Sequence, residues 1–371
     1  MKVALVHDYL NQFGGGERVL EALAELYPEA PIYTALYDRA KIAKGSPMLA
    51  SQQIITPNYG RLPFVHSFYK WFTFLYPLAF EAFDLSAYDL VISSSANFAK
   101  GVLTNANQKH ISYIHTPPRF LYGYKTEESR RDKWLWRQIL RPVDYFLRLW
   151  DFQAAQRPDV LVANSQETAR RIRKFYRREA TVVYPPVTIP EVLESDLQPD
   201  PNGSFLIVSR LSEYKHVDIV IEAANQLGFP LKVAGTGKEQ ARISRLAGPT
   251  VEMLGFVSEE RLTQLYRSCR AFISPVEDEE FGIVAVEAMA YGRPVIALRQ
   301  GGYLETVVEG KTGMFFEKPT VESLAEVWRS FKAESFDPQT CRNQALRFSK
   351  ERFQKEIKDL VANCKLSVVS C

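Results

Sequence analysis

The chain opens with KVALVH (Lys2 to His7), a short apolar run of the kind buried in a parallel sheet, and continues after Asp8 to Gly16 into ERVLEALAELY (Glu17 to Tyr27), whose apolar positions recur at helical spacing. The two segments predict a first strand and helix of an α/β sheet. Further strand runs at Pro31 to Thr34, Leu90 to Ser93, His110 to Ile114, Val160 to Asn164 and Thr181 to Val183 extend it, with helical segments between several of them. The alternation then restarts. Strands are predicted at Ser204 to Val208, Leu231 to Ala234, Val251 to Leu254, Ala271 to Ser274 and Pro294 to Ala297. The helices expected among them are Val217 to Leu227, Ser258 to Cys269 and Gly282 to Ala290, with a last pair of helices behind. Between the halves lie Tyr184-Pro185-Pro186-Val187 and the polar, proline-rich stretch Pro190 to Gly203, which continues neither a strand nor a helix. Two doubly wound α/β domains in tandem, 1–186 and 187–346, fit this pattern. Such sheets bind ligands beyond the carboxyl ends of their strands, so two of them facing each other are expected to hold a ligand in the cleft between them.

Length agrees with two domains, since 371 residues exceed the roughly 250–300 at which a single core stops growing. The chain is 46% hydrophobic and 24% charged, and its net charge of +3 is too small to imply a nucleic-acid partner. No run of about 18 apolar residues is present, and Met1-Lys2 leads directly into the first strand, so a cytoplasmic protein is expected. Cys269, Cys341, Cys364 and Cys371 lack C-x-x-C spacing and read as free thiols with no metal and no catalytic role.

The densest chemistry lies in FISPVEDEEFGIVAVEAMAYGRPVIAL (Phe272 to Leu298). Glu279 and Glu287 stand eight positions apart, one just before a helix and one inside it, so both can face a crevice at the helix N-terminus. There the backbone N–H groups of Phe281, Gly282 and Ile283 suit a phosphate, and the carboxylates suit sugar or ribose hydroxyls. The same pair also reads as an acidic first turn complementing the helix dipole. Gly14-Gly15-Gly16 lets a ligand's phosphate approach the backbone, but the spacing G-x-G-x-x-G is absent and a nicotinamide cofactor is disfavoured. Arg210 and Lys215, in SRLSEYK (Ser209 to Lys215) after a strand, combine a guanidinium fork with a point charge able to stabilise a departing diphosphate; surface cations at a loop are the plainer alternative. In VEMLGFV, Gly255 ends a strand and leaves the main chain of Phe256 and Val257 available to a planar base. His115, at the end of ISYIHTPP, either touches a sugar hydroxyl or is a structural histidine.

Taken together, GGGER (Gly14 to Arg18), YIHTPP (Tyr113 to Pro118), VANS (Val162 to Ser165), VVYPPV (Val182 to Val187), SRLSEYK, LGFV and EDEEFGIVAVEAMAYGRPVIA (Glu277 to Ala297) closely resemble the family-four retaining glycosyltransferases. The resemblance implies a GT-B fold of two Rossmann-like domains, the N-terminal one for the acceptor and the C-terminal one for the nucleotide-sugar donor. It matches Arg210 and Lys215 to the diphosphate, Glu287 to the nucleotide ribose and Glu279 to the donor sugar. It further matches Gly15 and Gly16 to the phosphates, His115 to the reacting sugar, and Phe256 and Val257 to the base edge, while Phe281, Gly282 and Ile283 offer N–H groups. Glu280 departs from the family's usual glycine, which bears on donor preference. Retention of configuration without a metal or other cofactor is implied, because Arg210, Lys215 and the helix terminus supply the positive charge. The resemblance also sends RFSKERFQKEIKDLVANCKL (Arg347 to Leu366) back onto the N-terminal domain, where Phe348 and Phe353 would tie the halves together.

Two N-terminal stretches bear on the acceptor. Leu62 to Phe83 is rich in aromatics, including Phe64, Phe68, Tyr69, Trp71, Phe72, Phe74, Tyr76, Phe80 and Phe83. Arg130 to Trp150 interleaves six Arg or Lys residues with Trp134, Trp136, Phe146 and Trp150, a composition that suits either an anionic membrane surface or a core with solvated cations. ARRIRKFYRR (Ala169 to Arg178) is a helix whose cations have the cleft, lipid and water open to them. The expected activity is transfer of a hexose from a UDP- or GDP-sugar to a polysaccharide or lipid-linked glycan, at the inner face of the cytoplasmic membrane. GGGER after HDYL resembles members that use GDP-mannose. A nucleotide-sugar epimerase and a non-catalytic nucleotide-sugar-binding subunit are the alternatives.

Overall fold

The computed structural model describes residues 1–57, 73–126, 134–192, 197, 200 and 202–366. Leu62 to Phe72 of the first aromatic stretch, Arg130 to Lys133 of the second, part of the Pro190 to Gly203 connector, and Cys371 lie outside the described residues. The chain forms two units, 1–186 with 351–371, and 187–350.

Unit 1 is built on a parallel sheet of order β3-β2-β1-β4-β5-β6-β7. Its strands are β1 (Val3–His7), β2 (Ile32–Thr34), β3 (Ile54–Ile55), β4 (Leu90–Ser95), β5 (Lys109–Ile114), β6 (Val160–Ala163) and β7 (Thr181–Val182). The runs are apolar throughout because helices cover both faces: β1 is buried at every position, as is β4. The first helix starts at Gly15, two residues before the expected Glu17, since Arg18 N–H already bonds Gly14 carbonyl at 3.0 Å and glycine tolerates the first turn. The chain order reverses between β1 and β4. Directly after β1, the carboxylate of Asp8 accepts four backbone N–H groups, from Ala96, Asn97, Phe98 and Ala99, at 2.6–2.8 Å. This clamps the loop after β4 over the end of β1, a compact solution for a carboxylate only 4% exposed.

Of the first aromatic stretch, Tyr76, Phe80 and Phe83 pack into the core, while Phe74 is exposed. The second forms the Trp134–Ala154 helix. Trp150 packs on Phe98 and donates to Glu81 at 2.8 Å, and buried Asp151 pairs with buried Lys100 and accepts from Tyr122. The rest of that helix turns Trp134, Leu135, Ile139, Tyr145, Phe146 and Leu149 outward. The Gln166–Tyr176 helix spends its cations locally: Arg170 pairs with Glu167, Arg173 with Glu179, and buried Arg171 lies on the Tyr124 ring.

Unit 2 carries a parallel sheet of order β10-β9-β8-β11-β12-β13, from β8 (Phe205–Val208), β9 (Leu231–Ala234), β10 (Val251–Gly255), β11 (Ala271–Ser274), β12 (Val295–Leu298) and β13 (Gly313–Phe316). The reversal falls between β8 and β11. Strand β13 and several short helices behind it replace the expected last pair of helices; GMFF is too brief, and too close to a glycine turn, to stand out by periodicity. The final helix runs from Lys350 to Leu366 rather than from Arg347, because the Pro338–Leu346 helix ends just before it and Ser349 pairs with Val187 instead. Phe348 accordingly packs on Phe281 in unit 2, while Phe353, Ile357 and Val361 enter the core of unit 1, Phe353 edge-on to Tyr113. Among the described residues, Cys269 and Cys341 are free thiols, and burial pushes both up to about 12.

Candidate functional site

In unit 2 the loop after β8 and the loop after β11 meet at the switch point. Lys215, in a single 3₁₀ turn (Glu213–Lys215), donates from Nζ to Glu279 Oε2 at 2.8 Å. His216 follows in the left-handed region at φ 50° and places Nε2 3.0 Å from Glu277 Oε2, so two adjacent pairs join the loops. Burial alone would depress the Lys215 ammonium, but Glu279, Tyr214 and Glu280 more than offset it and raise its pKa. Glu280, the departure from the family pattern, thus adds negative field at the lysine. Arg210 lies exposed at the start of the same loop.

The acidic loop is held from beneath by Gly301-Gly302-Tyr303. Gly302 N–H bonds Glu279 carbonyl at 2.9 Å, and a Cβ at Gly301 would lie 2.3 Å from that oxygen, so no larger residue permits this approach. Tyr303 sits under Gly282, whose φ is 85°, and its hydroxyl is hydrogen-bonded to Ser274 Oγ. Gly282 caps the Ile283–Ala290 helix without a side chain of its own. Within that helix Glu287, 8% exposed, accepts from Tyr266 Oη at 2.8 Å, and Tyr266 stacks on Tyr291. Glu279 and Glu287 therefore have separate partners: the first is tied to a cation, the second to a phenol. Phe281 is buried, so only its backbone is offered to a ligand. At the end of β10 a register shift brings Gly255 to φ 65°, and Phe256 is left 84% exposed beside half-buried Val257.

In unit 1 the helix start at Gly15 and Gly16 lies by the ends of β1, β4 and β5. A Cβ at Gly16 would be 3.6 Å from His115 Nε2 and 3.7 Å from His7 Cε1, so the backbone runs over both rings. His115 Nε2 is 2.8 Å from Ser94 Oγ, which is 3.1 Å from His7 Nδ1. Burial, with a smaller contribution from His7, lowers the His115 pKa to about 3 and keeps the ring neutral. Sequence reasoning passed over His7, Ser94, Glu17, His216, Tyr266 and Tyr303. His7 ends a buried strand and Tyr303 follows a glycine pair, positions that in hindsight carry some signal; Ser94 and Tyr266 carry none. Among the described residues no group of three or more His, Cys, Asp or Glu is arranged to hold a metal ion.

Both units are parallel, doubly wound sheets with polar clusters at their switch points, the architecture of the GT-B glycosyltransferases. The fold is shared with Anabaena Alr3699/HepE in complex with UDP (TM-score 0.69, 20% identity, 98% of this chain and 100% of that one). It is shared as well with sucrose-phosphate synthase from Thermosynechococcus elongatus (TM-score 0.75, 17% identity, 99% and 100%). Two family models match in tandem, Glycosyltransferase Family 4 over residues 13–189 and Glycosyl transferases group 1 over 190–351. The chain belongs to glycosyltransferase family 4. Its curated relatives include an uncharacterized glycosyltransferase of Methanocaldococcus jannaschii (32% identity over 180 residues, 47% of this chain and 49% of that protein). The human alpha-1,3/1,6-mannosyltransferase ALG2 (26%, 66% and 64%) and the GDP-mannose-dependent alpha-mannosyltransferase of Mycobacterium tuberculosis (28%, 53% and 50%) are also similar. The chain spans about half the length of most of these relatives.

Proposed function

We propose that this protein transfers a hexose from a nucleotide-sugar to a sugar or lipid-linked glycan acceptor, with retention of anomeric configuration and without a metal. The observation that carries the reading is the Lys215 and Glu279 pair beside the N-terminus of the Ile283–Ala290 helix. An ammonium, a carboxylate and helix N–H groups in one place suit a ligand that is both anion and polyol. Arg210 and Lys215 stabilise the departing diphosphate, Glu279 takes the donor sugar's hydroxyls, Glu287 the ribose, and the backbone at Phe256 and Val257 the base. Gly15, Gly16 and His115 serve the phosphates and the reacting sugar from unit 1. Because fixed cations supply the charge stabilisation, chelators should leave turnover unchanged. The acceptor's proton passes to the leaving phosphate on the same face.

Two relatives are named as mannosyltransferases, one of them GDP-mannose-dependent, which puts GDP-mannose first; HepE's complex with UDP-glucose keeps that donor in the comparison. A donor panel scored by release of nucleoside diphosphate tests the reading. Release from one donor, increased by acceptor, is expected; stabilisation by nucleotide with no release from any donor would make the protein a binding subunit instead.

The outward apolar side chains of the Trp134–Ala154 helix, interspersed with exposed Arg137 and Arg141, support peripheral contact with an anionic membrane at its cytoplasmic face. No helix among the described residues is long and apolar enough to cross one. Failure to sediment with anionic vesicles at low salt would sink this part.

A further inference from the structure

We propose that Glu17, His7 and Ser94 are positioning residues that hold His115 as its Nε2–H tautomer, so that the imidazole offers a bare Nδ1 to a bound hydroxyl. The inference rests on the preceding reading only in taking the ligand to be a polyol. Ser94 Oγ lies between two rings, 3.1 Å from His7 Nδ1 and 2.8 Å from His115 Nε2. A serine carries one proton, so it donates to one imidazole and accepts from the other.

The direction is set at the far end of the chain. His7 Nε2 faces Glu17 Oε1 at 3.7 Å, with the two side chains 5% and 9% exposed. A carboxylate there favours a proton on Nε2, since a bare lone pair pointed at a carboxylate in a poorly solvated place is repelled. A neutral His7 protonated on Nε2 has an unprotonated Nδ1, which takes the Ser94 proton. Ser94 Oγ, 0% exposed as a residue, is then left to accept from His115 Nε2–H. What remains on His115 is the Nδ1 lone pair, for which no partner is found among the described residues.

The chemical consequence is selectivity. Phosphate oxygens at neutral pH are acceptors, and a bare Nδ1 gives them nothing to accept. A sugar hydroxyl, by contrast, can donate to it. The arrangement therefore assigns His115 to a hydroxyl and leaves the diphosphate to the cations and N–H groups. Burial keeps the ring uncharged across the neutral range, which preserves the acceptor.

The histidine ring ¹⁵N spectrum of the full chain at pH 8, above the usual imidazole pKa of about 6.5, reads the tautomer directly. With five histidines in the chain, His115 is assigned by the signals lost in His115→Gln. The expected result is a protonated Nε2 and a free Nδ1, with Ser94→Ala and His7→Phe each moving the ring toward a mixture of tautomers. A proton on Nδ1 in the unaltered protein, or a spectrum indifferent to Ser94→Ala, overturns the proposal. Should a variant fail to fold, the tautomer of the unaltered chain still decides. The donor panel is separate: absence of diphosphate release would overturn the transferase reading and leave the spectrum to judge this one.

Discussion

At the ends of β8 and β11 a full ion pair, Lys215 with Glu279, lies beside the contact of His216 with Glu277, each partly open to solvent. At the corresponding reversal in the other sheet, between β1 and β4, the groups are two imidazoles joined by one hydroxyl, with the Glu17 carboxylate behind them and that of Asp8 taken up by four backbone N–H groups. Both places follow from the same topology, which leaves a crevice where neighbouring helices depart to opposite faces. The difference lies in what each crevice can recognise. A paired ammonium can be drawn toward a ligand that brings more negative charge, so the first region suits a polyanion. A hydrogen-bonded row whose inner ring, His115, is held neutral by burial cannot change its charge cheaply there, so the second suits hydroxyls of fixed orientation.

The sharpest way to break this contrast is Lys215→Ala. Loss of the ammonium should lower kcat/KM for the donor by roughly 100- to 1000-fold, the range seen when one stabiliser of developing charge is removed. Diphosphate release measures it, and a loss under about tenfold would take Lys215 out of the transition state. Arg210→Ala should cost more than about tenfold, above about 1.4 kcal/mol, by the same assay.

Acid should weaken unit 1 through its two imidazoles of depressed pKa, His115 in the crevice and His110 at the other end of β5. Burial, the largest cause, lowers His110 and His115 to about 3 in the folded chain, below the usual value of about 6.5 in the unfolded one. A depressed histidine contributes stability that is full above the unfolded value and shrinks as pH falls toward the folded one. Over that window the unfolded chain binds a proton that the native chain refuses, at about 1.4 kcal/mol per pH unit for each such histidine. Urea unfolding at several pH values between 7 and 5 should show this slope, flattened by His110→Gln, which removes the deeper of the two rings. A stability curve level across that range would contradict the assignment. The smallest effect is expected at Phe256, whose 84% exposed ring holds nothing else in place. Phe256→Ala should leave stability within about 0.5 kcal/mol and the donor KM within about threefold, because the proposed function gives the base to the backbone there and not to the ring. A much larger rise in KM would show that the ring itself stacks on the base.

Segments that stand between clear breakers were readable from periodicity alone. Leu231–Ala234, Ala271–Ser274 and Val217–Leu227 fall where the apolar spacing put them. Gly313–Phe316 did not announce itself, since four residues give no period and the strand depends on β12 for its pairing. Glu279, Glu287, Arg210 and Lys215 are visible as local motifs near one helix start. Tyr266, the partner of Glu287, is not, because it reaches that helix only through packing between distant elements; nor is Tyr303, which meets Gly282 and Ser274 from the loop after β12. Ser94 is one serine in a row of three, and nothing in the chain tells which of the row meets an imidazole.

The Lys350–Leu366 helix has a consequence for synthesis. Residues 1–186 cannot close their core until Phe353, Ile357 and Val361 have been translated, whereas 187–350 form a continuous stretch. At a translation rate of about 5–20 residues per second, the N-terminal segment waits on the order of ten to thirty seconds with an apolar groove open while the later unit is made. Vectorial order is thereby inverted: the unit begun second is complete first, and the nascent first unit is the one that calls for a chaperone.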